Sequence, residues 1–302
     1  MKASKKSLRR LRIGTTSLDI AHVITQLMLK VRERYHPVFH LRKFALFRSL
    51  MQRVDFPVSI RIEGIKHPVS VSFSRNLGYV LSGGHGIEFE EQENFLKLTG
   101  MAECRALYDI GANIGIYAFM FASAMPDRRV HMFEPDALNA KLLRRSIQQA
   151  GLRACDLTEA AVSDNDGVLT FHSDFVSGAT GSIRQGDSFL ETHHHGDPVA
   201  VQVRSVCLDH VASSTSMDPD VIKIDAEGAE LSIFRGAERV LARSQPLLFF
   251  ECNEDREEIQ RYLLNKGYRL FAWTNLTPVQ VPTHNTVALH CERHKQILRT
   301  LE

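Results

Sequence analysis

The feature that most constrains the fold is a short apolar run followed by two closely spaced glycines. Residues 106–110 read Ala-Leu-Tyr-Asp-Ile, the pattern of a buried strand in a parallel sheet. Gly111 and Gly115 follow, and an apolar run from Tyr117 to Phe121 predicts a helix. Strand, glycine loop and helix in this order predict an α/β fold. Its ligand would lie at the carboxyl end of the strand, where glycines let it approach backbone N–H groups.

The glycine spacing and Asp109 indicate which class of ligand this stretch could bind. Dinucleotide-binding loops carry three glycines in a G-x-G-x-x-G pattern, whereas here three residues separate two glycines. Asp109 precedes the first glycine by two residues, where a carboxylate would repel a pyrophosphate but suit a cationic group such as an amine. An NAD-dependent oxidoreductase is therefore an alternative that these residues disfavour.

Predicted strands and helices alternate from residue 106 onward, which indicates a parallel sheet with helices on both faces. The predicted strands of this sheet are 106–110, 129–133, 157–162, 221–225 and 246–251, with a final pair at 268–273 and 286–290. Helices are predicted over 89–98, 139–150, 229–242 and 255–265, and two further strands over 167–172 and 201–206.

A second carboxylate, Glu134, ends the second strand. It stands nineteen residues after Gly115, where a carboxylate can accept hydrogen bonds from both hydroxyls of a ribose. Capping of the next helix is the competing role, but Pro135 and Asp136 already serve that helix start. Glu134 therefore indicates a cofactor that contains a nucleoside.

Several segments together resemble the FkbM family of S-adenosylmethionine (SAM) methyltransferases. The segment 109–117 reads DIGANIGIY and resembles the first motif, while 222–230 reads IKIDAEGAE and resembles the family signature, with Ala226 where Val is usual. The segments 159–164, 203–209 and 250–251 resemble further family segments in the right order. The resemblance runs from about residue 86 to residue 290, so residues 1–55 lie outside it.

The resemblance implies a class I methyltransferase fold, a Rossmann-like, mostly parallel sheet of seven strands whose last strand is antiparallel. It also implies that SAM is the cofactor. Asp109, Gly111, Asn113 and Gly115 would hold its amino-acid end, Glu134 its ribose, and Ala161, Val162 and Asp164 would edge the adenine. Asp225 would face the methionyl amino group or the acceptor.

Two carboxylates, Asp225 and Glu251, end adjacent core strands and are the catalytic candidates. A general base would help a hydroxyl acceptor, and Glu251 is the cleaner candidate because Asp225 is expected nearer the methionyl end. Hydrogen bonding of Glu251 to a neighbouring loop is an equally good explanation of that residue. O-methylation of a sugar, glycan or related small metabolite follows from the resemblance alone, and a non-catalytic SAM-fold module is a further alternative.

The chain is predicted to have three parts: residues 1–55, a short β element at 56–85, and the catalytic domain at 86–302. Thirteen basic and three acidic residues precede residue 60, although the net charge of the whole chain is only +2. Amphipathic helices are predicted over 18–34 and 38–54, and half-exposed strands over 58–62 and 69–73. The basic helices would contact an anionic membrane or an acidic partner, or else pack on the catalytic domain.

Other patterns argue against several functions. The five scattered cysteines include no C-x-x-C pair, so a reduced, cytoplasmic protein is expected, with membrane association only through residues 1–55. No metal site is predicted, because the consecutive histidines 193–195 cannot all face one ion from regular structure. The catalytic part has no basic patch with interleaved aromatics, so nucleic acid is not an expected acceptor.

Overall fold

The computed structural model describes residues 53–82, 88–125, 127–173, 181–182 and 199–301, together with residues 46, 49 and 50. The predicted helix over 18–34 and the histidines 193–195 lie outside the described residues. Of the predicted helix over 38–54, residues 46, 49, 50, 53 and 54 are described; the first four are helical, and Val54 lies in a turn. No helix in the described part of the chain is long and apolar enough to cross a membrane.

An eight-stranded sheet forms the centre of the molecule. Its strands are β3 (Ala106–Ile110), β4 (Arg129–Phe133), β5 (Cys155–Thr158), β9 (Val221–Ile224), β10 (Leu247–Glu251), β11 (Tyr268–Ala272), β12 (Pro278–Val279) and β13 (Asn285–His290). They are ordered β12-β11-β13-β10-β9-β3-β4-β5. Five neighbouring strands, β10, β9, β3, β4 and β5, run parallel to one another. Strand β13 is antiparallel to both β10 and β11. This confirms the predicted class I methyltransferase topology, to which β12 adds a short edge strand.

Helices cover both faces of this sheet, as predicted. They are α1 (Leu77–Ser82), α2 (Phe89–Met101), α3 (Ile116–Ala124), α4 (Ala137–Ala150), α5 (Leu208–Thr215), α6 (Glu230–Arg235), α7 (Glu238–Ser244), α8 (Arg256–Asn265) and α9 (Lys295–Leu301). Neighbouring strand residues such as Leu107 and Tyr108 point to opposite faces and so enter two separate apolar clusters. One cluster includes residues of α2, α3, α4 and α9, and the other residues of α5 to α8.

The predicted third strand, 157–162, is wrong as a single element. The chain turns at Ala160, whose N–H donates to the Thr158 carbonyl, and the two halves join different sheets. β5 stays in the main sheet, while β6 (Ala161–Ser163) pairs with β8 (Val199–Cys207). β7 (Gly167–Ser173) completes this smaller sheet by pairing antiparallel with β8.

The predicted helix over 229–242 is also divided, into α6 and α7. Gly236 lies at the break, and a Cβ atom there would stand 2.2 Å from the backbone oxygen of Ser163. The helix is interrupted where the chain passes close to Ser163 of β6. A contact with a residue more than seventy positions earlier cannot be read from helix periodicity, which explains the error.

An antiparallel hairpin of β1 (Pro57–Ile60) and β2 (Val69–Ser72) precedes the main sheet. β2 is fully buried rather than half-exposed, because its serines find hydrogen-bond partners. The N–H of Ser70 donates to the Ser146 hydroxyl on α4 at 2.9 Å, and the Ser70 hydroxyl donates to Gln149 at 3.1 Å. Val69 and Val71 belong to the apolar cluster that includes residues of α2, α3, α4 and α9, so the hairpin shares the core on that face of the main sheet.

Candidate functional site

A cavity lies at the carboxyl ends of β3, β4 and β9, the edge at which the sequence predicts a ligand. The predicted site residues that line it are Gly111, Asn113, Glu134, Ala161, Val162 and Asp225. Residues that the sequence did not indicate line it as well: Arg75, Phe171, Ser173, Gly181 and Glu227. Four predicted residues, Asp109, Gly115, Asp164 and Glu251, do not line the cavity.

The two glycines of the loop are required by packing. Both have positive φ angles, 69° at Gly111 and 84° at Gly115. A Cβ atom at Gly111 would stand 1.8 Å from the backbone oxygen of Asp225, and one at Gly115 would stand 2.5 Å from the Phe119 ring. The loop can therefore pass beside β9 and begin α3 only with glycine at these positions, whether or not a ligand approaches it.

Asp109 lies beneath the cavity rather than in it. One carboxylate oxygen accepts a hydrogen bond from the N–H of Ala118 at 3.1 Å, which ties β3 to the start of α3. The other oxygen has no hydrogen-bond partner among the described residues and lies 4.0 Å from the ammonium of Lys223. Burial raises the pKa of Asp109 to about 6, although Lys223 and the N–H of Ala118 oppose the shift. A direct contact of Asp109 with a cofactor stays a prediction.

Glu134 joins the glycine loop to the start of α4. Its carboxylate accepts hydrogen bonds from the N–H of Asn113 at 2.7 Å and from the N–H of Asp136 at 2.9 Å. The residue is buried at the cavity wall, and this burial raises the pKa of its carboxyl to about 7. The carboxylate is therefore held in one orientation beside the space where a ligand would lie.

Part of the cavity wall is apolar. Ala161 and Val162 of β6 are buried there, with the Phe171 ring of β7. A Cβ atom at Gly181 would stand 2.1 Å from that ring, so glycine allows this segment to cross close above it. Asp164 is exposed, accepts a hydrogen bond from the Ser163 hydroxyl at 3.2 Å and does not line the cavity, and its contact with adenine stays a prediction.

Three carboxylates gather at the β9 and β10 end of the cavity. Oxygens of Asp225, Glu227 and Glu251 lie within 4.8 Å of one another, and we call these residues the acidic cluster. The ammonium of Lys223 donates to Asp225 at 3.1 Å, and the side-chain amide of Asn253 donates to Glu227 at 3.1 Å. Lys223 and Glu227 flank the predicted Asp225 in the same signature, but their roles depend on side-chain directions that the sequence does not give.

The three carboxylates of the acidic cluster have one neighbouring ammonium, that of Lys223, within hydrogen-bond distance among the described residues. Burial, reinforced by Asp225, raises the pKa of Glu227 to about 8. The charge of Asp225, followed by burial, also raises the pKa of Glu251. Burial disfavours the charge on Lys223, but Asp225, Asp109 and other carboxylates outweigh it and raise the pKa of the ammonium. Protons or a cationic ligand must therefore balance the cluster. Three carboxylates are also a donor set that a divalent cation can use.

The parallel sheet with its antiparallel β13, and a cavity walled by a glycine loop and strand-end carboxylates, define a class I methyltransferase. A family model for the methyltransferase FkbM domain matches residues 109–270, which is more than half of the 302 residues. The chain therefore belongs to the FkbM methyltransferase family.

Solved structures similar to this chain include other methyltransferases. The methyltransferase FkbM from Methylobacillus flagellatus KT is 18% identical with a TM-score of 0.43, and the match covers 62% of this chain but 43% of that one. A putative caffeoyl-CoA O-methyltransferase from Staphylococcus aureus is 12% identical with a TM-score of 0.42, covering 89% and 99% of the two chains. An O-methyltransferase from Bacillus cereus in complex with SAH is 12% identical with a TM-score of 0.39, covering 67% and 80%. A comparison with curated proteins gives no match.

Proposed function

We propose that this protein is a SAM-dependent methyltransferase that O-methylates a hydroxyl of a sugar, glycan or related small metabolite. The observation that carries the proposal is the distribution of carboxylates around one cavity. Glu134 lies at one end, where it suits a ribose, and Asp225 and Glu227 lie at the other, where they suit a cation. SAM combines a nucleoside with a positively charged sulfur and an amino group.

The residues of the cavity fit this cofactor. Glu134 would accept the ribose hydroxyls, and Ala161 and Val162 would flank the adenine. The side-chain oxygen of Asn113 is buried and has no hydrogen-bond partner in the described part of the chain, so it can accept from a ligand donor beside the glycine loop. Asp225 would face the cationic end. When bound, SAM supplies a methyl group that the positive sulfur activates for transfer.

The remaining task of the protein is to orient the acceptor and remove its proton. Lys223 fixes one oxygen of Asp225, and Glu251 on the neighbouring strand would accept the hydroxyl proton. The Nε2 atom of His284 lies 3.8 Å from Glu251, and its Nδ1 atom lies 2.8 Å from the side-chain oxygen of Asn253. Because His284 is exposed, it offers a path by which this proton can reach solvent.

The proton acceptor sets a pH dependence. Asp225 and burial raise the pKa of Glu251, and a protonated carboxyl cannot take a further proton. Turnover should therefore increase as the pH rises through the pKa of Glu251. A cationic ligand beside the acidic cluster would favour the ionised form and move this rise toward neutral pH.

Cofactor binding is the first test. Isothermal titration of the full chain should show saturable binding of SAM and S-adenosylhomocysteine, and no binding of NAD or NADP. Binding of NAD alone would overturn the assignment to SAM. Transfer of isotopically labelled methyl groups from SAM to a panel of sugars and their amino derivatives would then separate O-methylation from N-methylation.

A further inference from the structure

The cavity contains a charged side chain from outside the family match. Arg75 precedes the matched residues 109–270 and lines the cavity beside Glu134. Its guanidinium donates from both terminal nitrogens to the two carboxylate oxygens of Asp136, at 3.1 Å each. The side chains are 5% and 9% exposed, so water screens this bidentate pair very little.

The turn after β2 presents Arg75 in a fixed direction. One oxygen of Asp55 accepts from the Ser72 hydroxyl at 2.7 Å and from the N–H of Ser74 at 2.9 Å. The Ser72 hydroxyl oxygen in turn accepts from the N–H of Arg75 at 3.0 Å, and the N–H of Ser72 donates to Asn76 at 2.9 Å. The N-terminal hairpin therefore delivers the guanidinium to the start of α4 as part of an ordered turn.

Asp136 is fully engaged at that helix start. Its Oδ1 atom accepts from the N–H groups of Leu138 and Asn139 at 3.0 Å each, and its Oδ2 atom accepts from the Ser173 hydroxyl at 2.7 Å. Burial disfavours the negative charge of Asp136, but hydrogen bonding to Arg75 outweighs it and lowers the pKa of the carboxyl. Arg75 is the cation that balances this buried charge.

The charges of Arg75 and Asp136 affect the ionisation of Glu134, which lies two residues before Asp136. The charged groups that face Glu134 are Asp136, which disfavours its ionisation, and Arg75, which favours it. Burial is the largest influence and raises the pKa of Glu134 to about 7. At this value, a modest change in the neighbouring charge decides whether Glu134 is ionised at neutral pH.

We propose that Arg75 is a positioning residue for the cofactor, which neutralises Asp136 and so keeps Glu134 ionised and oriented toward the ribose hydroxyls. The inference rests on the proposed function, because it takes the ribose of SAM as the partner of Glu134. It makes the hairpin before the family domain a working part of the cofactor site.

The test is the dissociation constant of SAM, measured by isothermal titration of the full chain from pH 6 to pH 9. Wild-type affinity should increase with pH as Glu134 ionises. Arg75→Met should move the midpoint of this increase up by about one pH unit, so binding at pH 7, close to the wild-type midpoint, becomes about fivefold weaker. Asp136→Asn removes the opposing charge and should move the midpoint down, and the double variant should return toward the wild-type value.

Two further variants separate charge from structure. Arg128 is as buried as Arg75, donates to the Phe121 carbonyl and lies outside the cavity, so Arg128→Met should lower the melting temperature without moving the pH midpoint. Arg75→Lys keeps the charge and should keep the midpoint close to the wild-type value.

An unmoved midpoint in Arg75→Met, even with affinity reduced equally at every pH, would overturn the proposal. Should that variant fail to fold, Asp136→Asn decides alone, and a midpoint that does not fall would reject the role of Arg75. Absence of SAM binding by the wild type at every pH would instead remove the cofactor assignment, and this inference with it.

Discussion

At the β4 end of the cavity, Glu134 and Asp136 receive four backbone N–H groups, and one guanidinium pairs with Asp136. At the β9 and β10 end, the three carboxylates of the acidic cluster share one ammonium and one side-chain amide. The first group is held by donors that the fold itself supplies. Among the described residues, the second group has fewer donors than carboxylate oxygens, so protons or a cation must complete it. The carboxylates at one end are thus held by the fold, whereas the charge at the other end depends on protons or on a ligand.

The largest effect should separate turnover from binding within the acidic cluster. Glu251→Gln cannot accept a proton and should reduce kcat by about 10²–10⁴-fold, with SAM affinity close to normal. Asp225→Asn should reduce both kcat and SAM affinity, because Asp225 lines the cavity and Glu251 does not. Rate measurements with the methyl acceptor and titration with SAM provide the two readouts, and Glu257→Gln on the exposed first turn of α8 is a matched control. Normal turnover in Glu251→Gln would exclude it as the base.

A smaller effect, on SAM affinity, is expected from Glu134 at the β4 end of the cavity. Glu134→Ala should weaken SAM binding by about 1.5–3 kcal/mol, the usual contribution of hydrogen bonds to a charged group. Titration with SAM measures the change, and Glu159→Ala, which removes an exposed partner of Arg144, serves as the control. Equal SAM affinities in the two variants would contradict the assignment of Glu134 to the ribose.

The acidic cluster should also make stability depend on pH. Burial raises the pKa of Glu227 to about 8, above an unfolded value of about 4.3. The folded state therefore holds a proton that the unfolded chain releases. The resulting stability is fully present below about pH 4 and is lost as the pH rises toward about 8.

Glu227→Gln has no proton to lose, so its melting temperature should fall less steeply between pH 5 and pH 8. Each kcal/mol in the free energy of unfolding corresponds to about 2–4 °C for a domain of this size. Differential scanning calorimetry across this range measures the two slopes. Parallel slopes would show that Glu227 is not protonated in the folded state.

The smallest effect concerns the basic N-terminal segment. Removal of residues 1–54 should leave SAM affinity unchanged, whereas removal of residues 1–55 should destabilise the fold, because Ser72 and Ser74 lose the carboxylate of Asp55. If the segment contacts anionic lipid, liposome binding by the full chain should decrease with salt and disappear in the shorter chain. Unchanged liposome binding would leave a packing role for the segment.

The sequence predicted the main sheet and the edge at which the cavity lies, because strand periodicity and strand-end carboxylates are local signals. Asp225 and Glu134 were found in this way, since the carboxyl ends of parallel strands meet at one edge. Arg75 could not be found, because its pairing with Asp136 spans sixty-one residues and involves no motif. The break at Gly236 was missed for the same reason, since its cause is a tertiary contact with Ser163.

The contact between Gly111 and the backbone oxygen of Asp225 has a consequence for engineering the enzyme. No side chain fits at residue 111, so a substitution there would displace the backbone at Asp225. Under the proposed function, substitutions that change the acceptor would be sought at Asn253 and His284, which lie beside the acidic cluster and are partly or fully exposed. Libraries for altered specificity should therefore be concentrated on these two positions rather than on Gly111.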